Sequence, residues 1–197
     1  MNMIQSGHWL DPDIACRITG LEFVWNATFN YEPIMDEYNS TPIRPVLDGE
    51  PRFEDIAINL NPENGYWKAY DSRNGAYHSL FAGAAGLNYG DESLGLFYDP
   101  THGPRLEIEM RPWQQALNAT GSGQMQHAKA LMLSRPYFTR IPDQTIVVGD
   151  AGRGEPHISA TRDRNGSYAM IYLPHGQTVT VDLSKIEGPL VVAWWFD

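Results

Sequence analysis

Glu50 and Glu54 stand in the segment Pro45-Val-Leu-Asp-Gly-Glu-Pro-Arg-Phe-Glu54, which sets a carboxylate at the end of a short apolar run bounded by prolines. Strand alternation puts Val46, Asp48 and Glu50 on one face of that run. A carboxylate at the C-terminal end of a buried strand lies where α/β and barrel active sites form. Gly49 permits close approach and Pro51 gives a rigid exit, so Glu50 can serve as a nucleophile on the anomeric carbon of a sugar or as a base. Glu54 can support it from behind or cap the following helix. The plain alternative puts both glutamates on a solvated loop.

Other chemistries have less support. Ser122 lies in Gly-Ser-Gly and not in the G-x-S-x-G elbow of a serine hydrolase. The histidines form no H-x-x-x-H pair, and a single cysteine, Cys16, excludes an intrachain disulfide and a cysteine zinc site. No glycine-rich phosphate loop occurs, so no metal and no cofactor is expected. With 14 basic and 24 acidic residues the formal charge is −10, the wrong sign for a nucleic-acid partner. No stretch approaches the roughly 18 apolar residues of a membrane span.

The elements that must position Glu50 follow from periodicity. Met1–Gln5 and Pro45–Glu50 read as strands, and Leu87–Tyr89 as a third. Ala76, Tyr77, Leu80, Ala84 and Ala85 recur at helical spacing between Tyr70 and Gly86, where Gly86 suits the stop. Pro112 opens a further helix at N1, Gly121-Ser-Gly123 breaks it, and another runs from Gln124 to Leu133. About three βα units result, hence an α/β fold with a parallel sheet. A closed (β/α)₈ barrel takes roughly 250 residues, so the segment cannot hold a complete one. The stretch Gly149–Pro156 reads as a linker, dividing the chain into 1–149 and 150–197. Beyond it, Ile158–Arg162 and Tyr168–Leu173 flank an Asn165-Gly166 type I′ turn. Thr178–Leu183 and Leu190–Phe196 continue a small antiparallel, sandwich-like β module, with Trp194 and Trp195 as packing residues. Both ends of the chain read as cut.

Further motifs in fixed order carry a resemblance over nearly the whole chain. Ile4-Gln-Ser-Gly-His8, the Pro45–Glu54 segment, Tyr70-Asp-Ser-Arg73, Leu80-Phe-Ala-Gly-Ala-Ala-Gly86, Tyr89-Gly90, Pro112-Trp113, Ala116-Leu117, Gly121-Ser-Gly-Gln-Met125, Ser134-Arg-Pro136 and Pro142-Asp-Gln144 resemble the apiosidase-like glycoside hydrolases. The β module resembles the one named for collagen binding in that family, although no residue here shows collagen specificity. The resemblance implies the C-terminal portion of a (β/α)₈ TIM barrel, about its sixth to eighth strands, in a retaining hydrolase of plant-type or pectic side-chain glycosides. Glu50 would be the nucleophile at the end of the seventh strand. Ser6 and His8 would end the sixth strand, with His8 donating to a sugar hydroxyl. Tyr89 would end the eighth strand at the same rim, Trp67 is a loop aromatic able to stack on a sugar, and Arg73 is expected to pair with an acid.

The acid/base carboxylate would belong to the fourth strand, which this sequence does not contain. Retention needs two carboxyl groups about 5–5.5 Å apart, so these residues alone are expected to be inactive. The family also implies bacterial export. The competing reading is a non-catalytic module that binds carbohydrate or matrix, with a degenerate α/β support. Open barrel edges predict self-association.

Overall fold

The computed structural model describes residues 1–20, 26–105 and 111–196. Three parallel strands form the first sheet in the order β1 (Asn2–Ile4), β2 (Val46–Asp48) and β3 (Gly86–Leu87). Asn2, Met3 and Ile4 lie opposite Val46, Leu47 and Asp48, and Leu47 and Asp48 lie opposite Gly86 and Leu87. This central position puts both ends of β2 under the control of its neighbours.

Helices α1 (Pro12–Thr19) and α2 (Tyr31–Tyr38) connect β1 to β2, and α3 (Ala69–Phe81) connects β2 to β3. The Asp11 carboxylate starts α1 by accepting from the amides of Asp13 and Ile14, each at 3.0 Å. Ile34 of α2, Val46 of β2, and Ala82 and Ala84 after α3 form a buried cluster that seats the helices on the sheet. The short helices α4 (Glu92–Gly95) and α5 (Trp113–Ala116) precede α6 (Thr120–Leu133), whose Ala128 and Met132 pack on Tyr77, Leu80 and Phe81 of α3.

Two small antiparallel sheets complete the chain. The first has the order β4 (Arg140–Pro142), β6 (Ser159–Asp163), β7 (Ala169–Tyr172), and the second pairs β5 (Val147–Val148) with β8 (Thr180–Val181). Pairing thus carries the antiparallel region back to Arg140, ahead of the expected division at 149. The Gly149–Pro156 stretch is docked: the Gly154 amide donates to the Tyr31 hydroxyl (3.0 Å), and the Glu155 carbonyl accepts from Asn74 (3.1 Å).

Helix α3 lies between the parallel sheet and the antiparallel unit, and every residue from Asn74 to Phe81 is buried. A helix covered on all sides needs partners for its polar groups as well as an apolar stripe. The Ser159 hydroxyl donates to His78 Nδ1 at 2.7 Å, and His78 Nε2–H donates to the Glu155 carbonyl at 3.3 Å. Arg140 donates to the Leu80 and Ala84 carbonyls at the helix end.

Several local expectations are corrected. Helix α3 stops at Phe81, and Gly86 enters β3. Gly121-Ser-Gly123 does not interrupt a helix; it forms the first turn of α6, for a reason that lies in the site. The Asp163 amide donates to the Tyr168 carbonyl at 2.9 Å, which makes the hairpin loop longer than two residues. Of the Asn165-Gly166 pair only Gly166 has positive φ (78°), so the turn is not type I′. Leu190–Phe196 has no strand partner among the described residues, and Trp194 and Trp195 are 81% and 87% exposed instead of packed.

Candidate active site

Past the paired residues of β1 and β2 the two chains stay in register. The Gly49 amide donates to the Ile4 carbonyl (2.8 Å), and the Gly7 amide to the Glu50 carbonyl (2.9 Å). A Cβ on residue 7 would lie 2.8 Å from that carbonyl oxygen, closer than real Cβ contacts, so only glycine lets the segments approach this far. The consequence is that Gln5 and His8 flank Glu50. Gln5 Nε2 donates to Glu50 Oε2 at 2.6 Å, and His8 Nε2 lies 3.2 Å from Glu50 Oε1.

Both carboxylate oxygens are therefore held, yet 36% of the Glu50 side chain stays exposed, against 10% for His8. The hydrogen bond from His8 holds the Glu50 carboxyl below the usual range, with the His8 charge adding to it and partial burial opposing. An ionised carboxylate, fixed in direction and open on one side, can attack an electrophilic carbon or accept a proton. The His8 ring is fixed from the side by Phe53 in an edge-on contact at 4.9 Å between centroids.

The remaining candidates support this pair or lie apart from it. Ser6 is buried and donates to Asp48 Oδ2 at 2.8 Å, not to an open pocket. Trp67 is corrected outright as a sugar platform: it is 3% exposed, its ring is covered by the Arg52 guanidinium 5.6 Å from the centroid, and its indole N–H donates to the His8 carbonyl at 3.1 Å. It is thus a prop for His8. Packing with Ala27 and Ile56 draws the indole inward.

Tyr89 and Glu54 form a second arrangement. The Tyr89 hydroxyl donates to Glu54 Oε2 at 2.7 Å, and the Gly121 amide donates to the same oxygen at 2.8 Å. A Cβ on residue 121 would sit 2.3 Å from that oxygen, which is why the first turn of α6 carries glycine there. Burial, with Glu54 and Asp91 nearby, pushes the Tyr89 phenol far above its ordinary value, so it stays a donor. Glu54 thus anchors the start of α6, not the helix that directly follows it. Next to it, Asp55 and Asp91 both meet the Arg111 guanidinium, and Asp91 also caps α4 at the Leu94 amide (3.1 Å). Arg73 bonds Gln124 at 2.7 Å instead of an acid.

Gln5 and Asp48 were not singled out as site residues by sequence. The signal for Gln5 was the strand pairing, since parity with the end of β2 brings it to Glu50. Among the described residues no group of three or more His, Cys, Asp or Glu is arranged to hold a metal ion, and no helix is long and apolar enough to cross a membrane.

Comparison with known proteins matches this architecture. The family model described as "Apiosidase-like, catalytic domain" covers residues 1–139, and the one described as "Putative collagen-binding domain of a collagenase" covers residues 141–197. A crystal structure of a glycoside hydrolase family 5 protein from Bacteroides vulgatus ATCC 8482 is 34% identical with a TM-score of 0.83, over 94% of this chain and 40% of that one. A second solved structure, titled a glycoside hydrolase, is 37% identical with a TM-score of 0.81, over 94% and 41%. The chain therefore spans about two fifths of the length of these structures. No curated protein matches it. With the parallel strands, their helices and the Pro45–Glu54 segment all inside the longer match, the chain belongs to the apiosidase-like family of glycoside hydrolase-like proteins.

Proposed function

We propose that this chain supplies the nucleophile side of a retaining glycoside hydrolase, with Glu50 attacking the anomeric carbon and β1 to β3 serving as the sixth to eighth strands of a (β/α)₈ barrel. The observation that carries the reading is the Glu50 carboxylate itself. It is ionised, gripped on both oxygens by Gln5 and His8, and exposed at the C-terminal end of a parallel strand. A nucleophile needs its charge and an open face, and the hydrogen bonds fix its aim. As the bond to carbon forms, the charge on Glu50 is lost. His8 stays close enough to steady the leaving carboxylate when water cleaves the glycosyl ester.

In the retaining scheme a second carboxyl group about 5–5.5 Å away protonates the departing oxygen and then activates water. That group comes from the fourth barrel strand, outside these residues. Membership of the apiosidase-like family favours plant-type or pectic side-chain glycosides as substrates, acted on outside a bacterial cell. The test is a mechanism-based fluoroglycoside offered to a barrel enzyme that contains this segment. Mass spectrometry should find one sugar on the peptide with Glu50, and none in Glu50→Gln. A label on another carboxylate would overturn the assignment.

A further inference from the structure

Two residues before Glu50 on β2, Asp48 is fully buried among neutral donors. The Ser6 hydroxyl donates to its Oδ2 at 2.8 Å, and the Ser79 hydroxyl of α3 donates to the same oxygen at 2.5 Å. Asn30, also buried, donates from Nδ2 to Ser79 Oγ (2.7 Å) and to the Gly75 carbonyl (2.9 Å). Asp48 thus ties three separate pieces of chain together: the end of β1, helix α3 and the turn before α2.

We propose that Asp48 is a positioning residue for Glu50, acting through Ser6 to hold the Gln5–His8 segment whose side chains grip the Glu50 carboxylate. The inference rests on Glu50 being the working carboxylate of the site. Ser6 lies between the two gripping residues, so a hydrogen bond at its side chain fixes the backbone on which Gln5 and His8 are carried. Ser6 is tied to Asp48 by its hydroxyl and by its backbone amide, and Asp48 is in turn anchored on α3 through Ser79.

A charged anchor so close to the nucleophile would oppose ionisation of Glu50, and the surroundings of Asp48 disfavour that charge. Asp48 Oδ1 and Asn30 Oδ1 are both buried acceptors without a hydrogen-bond partner among the described residues. A buried carboxyl oxygen without a donor favours the protonated form of Asp48. Burial pushes this carboxyl above its ordinary value, with the bonds from Ser79, Ser6 and Asn30 opposing. Among the described residues the side chains hydrogen-bonded to or facing Asp48 are Ser6, Ser79 and Asn30, and those facing Glu50 are Gln5 and His8. Two carboxyl groups on one segment are thus pushed in opposite directions, Asp48 toward a neutral anchor and Glu50 toward an ionised nucleophile.

The experiment is a carbon-13 NMR titration of this chain with labelled glutamate carboxyls, the Glu50 signal being assigned by its loss in Glu50→Gln. Ser6→Ala and Asp48→Ala should raise the Glu50 midpoint by about half a pH unit or more, because the His8 hydrogen bond loosens. Asp48→Asn keeps an acceptor for Ser6 and should leave the midpoint where it was. If Asp48→Ala does not fold, Ser6→Ala decides alone, since it removes only a hydroxyl. An unchanged midpoint in Ser6→Ala, with a rise in His8→Ala, would overturn the proposal; a rise in Asp48→Asn equal to that in Asp48→Ala would overturn the neutral anchor. The titration does not need turnover. Its failure therefore leaves the nucleophile assignment standing, whereas full hydrolysis by a Glu50→Gln enzyme removes that assignment without touching the titration.

Discussion

Glu50 and Glu54 come from one decapeptide and accept a similar number of hydrogen bonds, yet they are held in opposite ways. Glu50 is gripped by two side chains from the neighbouring strand end and keeps 36% of its side chain open. Glu54, at 5% exposure, is gripped by the backbone amide of Gly121 and the half-buried phenol of Tyr89. Side-chain donors leave a carboxylate free to react and to shed its charge. A backbone donor at a helix start makes the carboxylate part of the framework, because the charge also answers the positive end of α6. The donors therefore separate the two roles more sharply than residue type or spacing does.

The largest effect that tests this contrast is on catalysis. Glu50→Gln in a barrel enzyme carrying this segment should lower kcat by at least about 10³-fold, near 4 kcal/mol of transition-state stabilisation, while its thermal melt stays close to that of the parent. Glu54→Gln keeps an acceptor oxygen and should retain most of the activity. Equal losses from the two changes would show that the donors do not sort the carboxylates.

Stability should reverse the order. Glu54→Ala strands the buried Gly121 amide and takes the acceptor from the half-buried Tyr89 hydroxyl, and urea unfolding should show a loss of about 1–3 kcal/mol. Glu50→Ala, at a half-open site, should cost less than about 1 kcal/mol by the same measurement. A Glu54→Ala protein as stable as the parent would mean that α6 starts without its help.

The same logic applies at the seam between α3 and the antiparallel unit, where His78 is buried as a neutral donor and acceptor. Burial, with Arg52 nearby, pushes it down to about 3. The unfolded chain then binds the extra proton first as pH falls. The stability from neutral His78 is complete above about 6.5, declines below that, and is lost toward pH 3; near pH 5 the loss is about 2 kcal/mol. Unfolding free energies measured from pH 7 to 4.5 should follow this slope, and His78→Asn should flatten it. An identical slope in the variant would assign the acid sensitivity elsewhere.

Much of the parallel half was legible because its strands carry prolines, glycines and alternation that point one way. β1, β2 and α3 fall where periodicity puts them, whereas the contact of His8 with Glu50 is one that the sequence reading, which aims His8 at a sugar hydroxyl, does not name. What failed to show in the sequence is long-range. Trp67 looks like any loop aromatic until packing with Ala27 and Ile56 turns it inward. Gly121-Ser-Gly123 has the composition of a break, but Glu54, distant in sequence, supplies the acceptor that lets a helix begin there. His78 and Ser79 sit off the apolar stripe of α3, and their burial depends on what packs against the other side of the helix. Leu190–Phe196 has strand composition, but a strand also needs a partner, and composition does not supply one.

The smallest expected effect probes the grip on Glu50 most directly. Gln5 donates one hydrogen bond to Glu50 Oε2 from an exposed position. Water can replace such a donor, so Gln5→Ala should change folding stability by no more than about 0.5 kcal/mol. Its influence on the carboxylate is aim more than charge, since His8 is the largest cause of the lowered Glu50 value. Steady-state kinetics of a Gln5→Ala barrel enzyme should therefore show a fall of a few-fold, roughly 1 kcal/mol or less, in kcat with the acidic limb of the pH profile in place. His8→Ala should move that limb to higher pH, because the group that holds Glu50 ionised is gone. If Gln5→Ala moved the limb as far as His8→Ala, the two donors would be equivalent, and the grip would work by charge alone.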